Sequence, residues 1–415
     1  MRRATFVFIF LVVLLDMLAL GIIAPVLPML ILEFEGGESA DAAAVYGLFA
    51  SVWAAAQFLC APLLGALSDR FGRRPVILIS CIGLGLDYFF MALAPTLGWL
   101  FVGRVVSGVT ASSFATAYAY VADLTPPDER AKRYGYLGAA FGVGFVVGPA
   151  LGGLLGDIAL RLPFWVAGVL SLVGAAYGYF VLPESLPEEK RAPFSLRRAN
   201  PLGALGLLAS RGGLLALAAI AFLYRIAHDA LPSLFVLYTD YRYGWTERDV
   251  GLALALVGVG SMIVQAGLVG RVVSALGERR TMLTGLAFGI VSFLVYGLAP
   301  TGGVFLSGIL FGSLYGLMFP ALQGRMTRRV AADEQGRLQG AITSLMGVAG
   351  VVAPLLFTQT FAAAVGPYEE YGMPGAPFLI GGGLLVVAII VDLAAGVKPP
   401  IRAEPVQGHR VDGPW

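Results

Sequence analysis

Twelve stretches of this chain are long and apolar enough to cross a bilayer, and that feature leaves few folds open to it. A spanning helix needs about 20 mostly apolar residues. The runs are Phe6–Leu30, Val45–Leu67, Pro75–Leu93, Leu97–Val121, Gly135–Gly156 and Phe164–Leu182, then Leu214–Tyr238, Val250–Val269, Met282–Ala299, Val304–Gln323, Leu338–Val365 and Phe378–Ala395. A more polar, Pro-containing stretch from Glu184 to Arg211 parts the first six from the last six. The expected fold class is therefore an all-α membrane protein with 12 transmembrane helices in two six-helix bundles. The expected units are 1–183 and 212–397 for the bundles, 184–211 for a central loop, and 398–415 for a tail. That tail is polar and has too few apolar residues to pack, so it is expected to be disordered.

Composition says the same from the other side. Only 13% of the 415 residues are charged and 58% are hydrophobic, against about 25% charged in a soluble domain. A chain this poor in charge cannot cover itself in water, so the lipid bilayer is an expected partner. The net charge of +2 is too small to point to nucleic acid. Cys60 and Cys81 both lie inside apolar runs, and His409 lies in the tail, so neither a disulfide framework nor a multi-histidine metal site is expected. No cofactor is implied. Arg2-Arg3 followed by Phe6–Leu15 is similar to a signal peptide. Asp16 interrupts that run, however, and apolar character resumes to Leu32, which reads as an uncleaved first span.

Basic residues set the topology. One alternating set of loops holds nearly all of them, whereas the opposite set holds only Arg161, Arg242 and Arg248. By the positive-inside rule both termini and the central loop are cytoplasmic. The halves also echo each other. Gly65-Ala-Leu-Ser-Asp-Arg-Phe-Gly-Arg-Arg74, between spans two and three, is answered by Gly270-Arg-Val-Val-Ser-Ala-Leu-Gly-Glu-Arg279 between spans eight and nine. A duplicated six-span unit fits a transporter whose halves rock about a midplane site.

The loop carrying Gly65, Asp69, Arg70, Gly72, Arg73 and Arg74 resembles the signature of the major facilitator superfamily. That resemblance implies the major facilitator fold, with both bundles pseudo-symmetric. It also implies gating roles: Asp69 capping the start of helix eleven, and Arg73 pairing with Asp123 at the end of helix four. An acid is favoured at a helix N-terminus, and an Arg–carboxylate pair can latch a gate. The alternative is a basic loop that only fixes topology. Span five places Gly144, Gly148-Pro149 and Gly152-Gly153 at four-residue spacing, a flat face that admits close helix approach. Alone this suggests packing; within the superfamily it resembles the antiporter motif.

Further segments narrow the resemblance. Asp16 with Pro25-Val-Leu-Pro28, Leu86-Asp87-Tyr88, Gly103-Arg104-Val-Val-Ser-Gly108, Ala321-Leu-Gln-Gly324 and Glu334-Gln-Gly-Arg-Leu-Gln-Gly340 are similar to the bacterial tetracycline/proton antiporters. Two departures stand out. The acid that subfamily carries in span nine is missing, with Gly289 about where it belongs, and its span-eight histidine corresponds to Ser261. Span seven instead carries Arg225, His228 and Asp229.

A charge at a helix centre costs about 2.5–3.5 kcal/mol on insertion scales, so such residues usually serve a pathway. Asp16 lies mid-span and is suited to take up and release a proton, or else to tie helices together. Asp87 and Arg104 lie in neighbouring spans and read as an ion pair, either permanent or opened by substrate or a proton. Arg104, Gly108 and Ser112 share one helical face, expected to be an open cavity wall. Arg225 and Asp229 are one turn apart and can neutralise each other. His228, with an unperturbed imidazole pKa of about 6.5, suits a proton relay or a self-satisfied cluster. Gln57, Gln265 and Gln323 can bind substrate or tie helices, and Gln57 alone also fits the resemblance. Asp157 and Asp392 lie near span ends, where a solvated role is expected.

Asp16, Asp87, His228 and Asp229 are thus the expected proton-coupling residues, and Gln57, Arg104 and Arg225 the expected substrate contacts. The resemblance implies a proton-coupled antiporter that exports a small amphipathic, tetracycline-like compound from a bacterial inner membrane, working as a monomer. The alternative is a symporter or facilitator of a metabolite anion, using Arg104 and Arg225. No Gly-rich loop ending in Gly-Lys-Ser/Thr is present for a nucleotide, and no cluster of nucleophile and base suggests an enzyme.

Overall fold

Prolines and glycines decide where the apolar runs stop being single rods. In the computed structural model, which describes residues 3–111, 113–191, 205–210, 213–331 and 334–396, the first span is α1 (Arg3–Ile23) and α2 (Leu27–Phe34). They are separated at Pro25, which has no N–H to offer the helix, and Pro28 opens α2 where that donor is not needed. The next elements are α3 (Ser39–Phe71), α4 (Arg73–Ala92), α5 (Leu97–Thr110), α6 (Ser113–Leu124), α7 (Pro127–Ile158), α8 (Leu162–Val181) and the short α9 (Gly206–Ser210). The second half holds α10 (Leu214–Tyr243), α11 (Glu247–Ile263), α12 (Val269–Leu276), α13 (Glu278–Leu298), α14 (Gly302–Tyr315), α15 (Met318–Thr327), α16 (Gln335–Val365) and α17 (Ala376–Ala394). A π-helical turn at Val264–Leu268 joins α11 to α12 within one span.

Among the described residues, eleven of these units are long and apolar enough to cross a membrane, by length and composition. The remaining span is the fourth, which is broken into α5 and α6 at Ala111. The tenth span is broken in the same way, between α14 and α15 at Gly316. The chain is a multi-pass membrane protein. The expected tail, most of the central loop and Ser112 lie outside the described residues.

Packing is duplicated. In the first half α1 packs on α7 and α8, α4 on α5 and α8, and α3 on α5. In the second half α10 packs on α16 and α17, α13 on α14 and α17, and α11 on α14. The two bundles meet along two related seams, α3 with α16 and α7 with α11. The turn Phe71–Arg73 and its counterpart at Leu276–Glu278 mark the basic end of the molecule. Gly72 (φ 103°) and Gly277 (φ 77°) make those two turns in the positive-φ region, where a side chain would be strained.

The seams close at one end only. Away from the basic end, the Gln359 side chain donates to the Ala44 carbonyl at 3.2 Å. There too, Gly47 faces Thr358 so closely that a Cβ would overlap its hydroxyl. Gly251 and Gly153 are backbone to backbone: a Cβ on either would lie 2.9 Å from the other's Cα. At mid-seam Gly347 still meets the Phe58 ring. Towards the basic end, a Cβ on Gly65, Gly135, Gly138, Gly267, Gly270 or Gly336 would meet nothing within 4 Å among the described residues. The bundles are therefore parted at the basic end and sealed at the other.

Candidate functional site

The basic end is built on paired charges. Arg73 lies between two acids: its Nη1 pairs with Asp69 at 2.5 Å, and its Nε with Asp123 at 3.1 Å. The Ser185 hydroxyl donates to the same Asp123 oxygen at 3.1 Å. The acid that caps a helix here is Glu184, which lies just after α8. It accepts from the backbone N–H groups of Arg73 and Arg74 at 2.9 and 3.2 Å, two of the unpaired donors at the start of α4. The same carboxylate accepts from the N–H groups of Ser185 and Leu186, both at 2.9 Å. Arg74 ties down α8 through the Tyr179 carbonyl, and Arg70 lies over the Phe71 ring. Asp69 is half-exposed, and among the described residues no hydrogen bond or ion pair joins it to α16. The expected cap on helix eleven is thus unmade here because the bundles stand apart at this end.

The second half repeats this arrangement with the charges exchanged. Arg73 and Glu278, and Asp123 and Arg328, are separated by one common interval along the chain. Where the first half pairs Arg73 with Asp123, the second pairs Glu278 with Arg328 at 3.0 Å. Beside that pair, Asp392 receives Arg279 at 2.8 Å and Arg325 at 2.6 Å. Asp392 is 0% exposed, which corrects the expectation that it would be solvated. A carboxylate buried at a span end needs cations brought to it, and α13 and α15 each bring one.

Within the first bundle Asp16 on α1 is 7% exposed and lies within electrostatic reach of Cys81 and Tyr88 on α4. Asp87, next along α4, is 4% exposed, and both its carboxylate oxygens are buried without a hydrogen-bond partner among the described residues. The expected Asp87–Arg104 ion pair is not formed. Asp87 is tucked beside Gly103, where a Cβ would come within 3.2 Å of Oδ1. Arg104, one residue on and turned about 100° around the helix, instead sets its guanidinium 5.3 Å over the Trp53 ring of α3. Its Nε has no hydrogen-bond partner among the described residues. Gly108 does not form an open wall either: a Cβ there would lie 2.7 Å from the Trp53 carbonyl and 2.8 Å from Ala56.

In the second bundle Arg225 and Asp229 do pair, at 3.0 Å along α10. His228 stacks on Tyr224 with ring centroids 5.6 Å apart and planes 18° apart. Gly289, at the position of the missing span-nine acid, packs against Tyr315 and Leu385.

The two broken helices share a device that sequence reading did not find. The break carbonyl at Ala111 accepts from Gln57 Nε2 at 3.5 Å, and the one at Gly316 accepts from Gln265 Nε2 at 3.3 Å. Ala111 and Gly316 are separated by the same interval that relates Gly72 to Gly277. An interrupted helix within a membrane frees carbonyls that something must satisfy, and each half supplies a glutamine from its second span. Gln323 bonds Gln339 at 3.1 Å, joining α15 to α16.

The glycine strip of α7 faces two helices at once. Gly144, Gly148 and Gly152 lie against Met17, Gly21 and Ile22 of α1; a Cβ on Gly148 would come within 2.7 Å of the Gly21 Cα. One position round, the Pro149 carbonyl and Gly153 lie against Gly251 of α11, in the other bundle. The strip therefore serves both the inside of one bundle and the seam between the two.

Comparison with known proteins agrees with this architecture. Residues 9–354 match the family described as Major Facilitator Superfamily. The chain is 35% identical over 375 residues to the tetracycline resistance protein, class C, of Escherichia coli, covering 90% of this chain and 93% of that one. It is 36% identical over 387 residues to the class G protein of Vibrio anguillarum, covering 93% and 96%. Among solved structures, that of the human organic anion transporter MFSD10 superposes with a TM-score of 0.69 at 26% identity, covering 94% of this chain and 99% of that one.

Proposed function

This chain belongs to the major facilitator superfamily, and from that premise we propose that it exports a tetracycline-like amphipathic compound in exchange for protons. The observation that carries the reading is the likeness, over about nine tenths of each chain, to tetracycline resistance proteins at 35–36% identity. The buried acids support it. Asp16 and Asp87 sit inside the first bundle, and among the described residues Asp87 has no hydrogen bond to give up before it takes a proton or a donor from the substrate. Asp229, held by Arg225 on α10, is an acid of the second bundle, whose span nine has Gly289 where the resemblance implies one. Arg104 and Gln57 are the substrate contacts of the first bundle, and Arg225 that of the second.

The basic end faces the cytoplasm of a bacterial inner membrane, on the positive-inside rule. The structure is then the inward-facing state. The units 1–183 and 212–397 rock about the two seams, with 184–211 as the cytoplasmic connection. Closing the inner end brings Asp69 to the start of α16, while Gly65, Arg70, Gly72, Arg73, Arg74 and Asp123 hold the turn in shape. Opening the outer end parts Pro149 and Gly153 from Gly251. The protein works as a monomer.

A second reading, transport of an organic anion, draws on buried Arg104, whose Nε has no hydrogen-bond partner among the described residues, and on the likeness to MFSD10. Uptake of labelled tetracycline into inverted membrane vesicles separates the two. Export driven by protons gives accumulation that requires an imposed gradient, acid inside. No accumulation by folded protein overturns the drug assignment and leaves the anion reading standing.

A further inference from the structure

The setting of His228 fits a role other than proton relay. Among the described residues no hydrogen bond joins it to Asp229 or to any other group. The ring instead ends a set of aligned rings. His228 lies 18° from the plane of Tyr224, and Tyr224 lies 14° from the plane of Phe319, each pair with centroids 5.6 Å apart. Tyr315 braces the set from α14. It tilts against Tyr224 at 5.0 Å and His228 at 6.0 Å, and its hydroxyl donates to the Tyr224 carbonyl at 3.1 Å.

Tyr224 and Tyr315 are buried and Phe319 is half-buried, whereas His228 is exposed. Arg225, one turn from Asp229, is 38% exposed. Both residues lie near the middle of α10, at a depth where lipid would not tolerate a guanidinium. Their exposed side therefore borders the pathway between the bundles. α16 passes close without filling the space: a Cβ on Gly350 would lie 3.8 Å from Arg225 Nη2 and 4.0 Å from Asp229 Oδ2.

We propose that the exposed face of His228 is a stacking platform for the flat, conjugated part of the transported compound, and that Arg225 receives an anionic or keto-enolate oxygen on its edge. The inference rests on the transport reading for the pathway that brings the compound to α10. Rings fixed against one another before binding lose little freedom when a further ring is added. One such aromatic contact is worth about 2- to 12-fold in affinity.

The test uses the full-length protein in nanodiscs and a flat anionic probe, anthraquinone-2-sulfonate, with cyclohexanesulfonate as a saturated comparator. Binding is measured for wild type, His228→Phe, His228→Ala and His228→Gln. The last keeps a polar side chain of similar size without a ring, and guards against a collapsed Ala variant. The platform predicts that Phe stays within about twofold of wild type, while Ala and Gln weaken anthraquinone binding by about 3- to 10-fold. Comparator binding is unchanged throughout. Loss in Phe equal to that in Ala would mean the imidazole's own chemistry is needed, and would overturn the proposal. Equal binding by all four proteins, or no binding by wild type, overturns it as well. If wild-type vesicles fail to accumulate tetracycline while the stacking pattern holds, the drug assignment falls and the platform stands.

Discussion

Gly153→Ala isolates the seam at the sealed end. A Cβ at this position would lie 2.9 Å from the Gly251 Cα and would overlap the Glu247 carbonyl. Both obstacles are backbone, so no side chain can swing aside to make room. Overpacking of this kind costs about 1–3 kcal/mol. The clash exists only while α7 and α11 touch, so the cost falls on the state sealed at this end and not on the parted one. That corresponds to a shift of about 5- to 150-fold in the ratio of the two states. The readout is a disulfide between cysteines placed at Ala40 and Gly366, with Cys60 and Cys81 replaced. A Cβ on Gly366 would lie 3.3 Å from that of Ala40, across the other seam at the same end. Cross-linking, which follows the sealed fraction, should slow in Gly153→Ala, by as much as that factor where the sealed state is the minor one. Gly135→Ala, at the parted end where a Cβ meets no described residue, should cross-link like wild type. A wild-type rate in a folded Gly153→Ala protein would refute the reasoning.

Three further outcomes follow from the paired charges and the broken helices. Asp392→Ala leaves Arg325 buried without its acid and should cost about 3–5 kcal/mol, seen as a lowered melting temperature in detergent; Asp392→Leu with Arg325→Met should recover most of it. Glu184→Gln weakens the cap on α4 by about 1 kcal/mol and should slow turnover in vesicle transport with apparent substrate affinity unchanged. Gln265→Ala leaves the Gly316 carbonyl without its donor, at about 0.5–1.5 kcal/mol for this exposed hydrogen bond. It should likewise slow transport with affinity unchanged, whereas Gln57→Ala should also weaken apparent affinity as a substrate contact.

The spans and their grouping were legible because each is a long apolar run, and lipid gives such a run little choice but helix. The latch was half legible. The Gly65–Arg74 turn and Asp123 stand out as charges at fixed spacing, but Glu184 looks like one more acid in a polar loop until the fold sets it against the start of α4. Its position directly after Pro183, at the end of span six, was the available signal. Asp392 was misjudged because nearness to a span end says nothing of what else packs there. Three charges inside one half, Arg279, Arg325 and Asp392, had to be read together. The Asp87–Arg104 pair failed for a different reason. Neighbouring spans bring two residues near, but the rotation of each helix decides what they face, and a Trp53 ring outcompeted the acid. The break at Gly316 did have a local signal in Pro320, four residues on, which has no N–H to give the Gly316 carbonyl; the break at Ala111 has no such proline, so nothing local announced it.

Exchange of substrate for protons is the central claim, and proton movement driven by the substrate tests it most directly. Proteoliposomes loaded with a pH-sensitive dye, at equal pH on both sides, receive tetracycline outside. The account predicts that the interior turns alkaline as protons leave against entering drug, and that Asp16→Asn abolishes the response. An interior that turns acid, or one that stays unchanged while tetracycline accumulates, would contradict it.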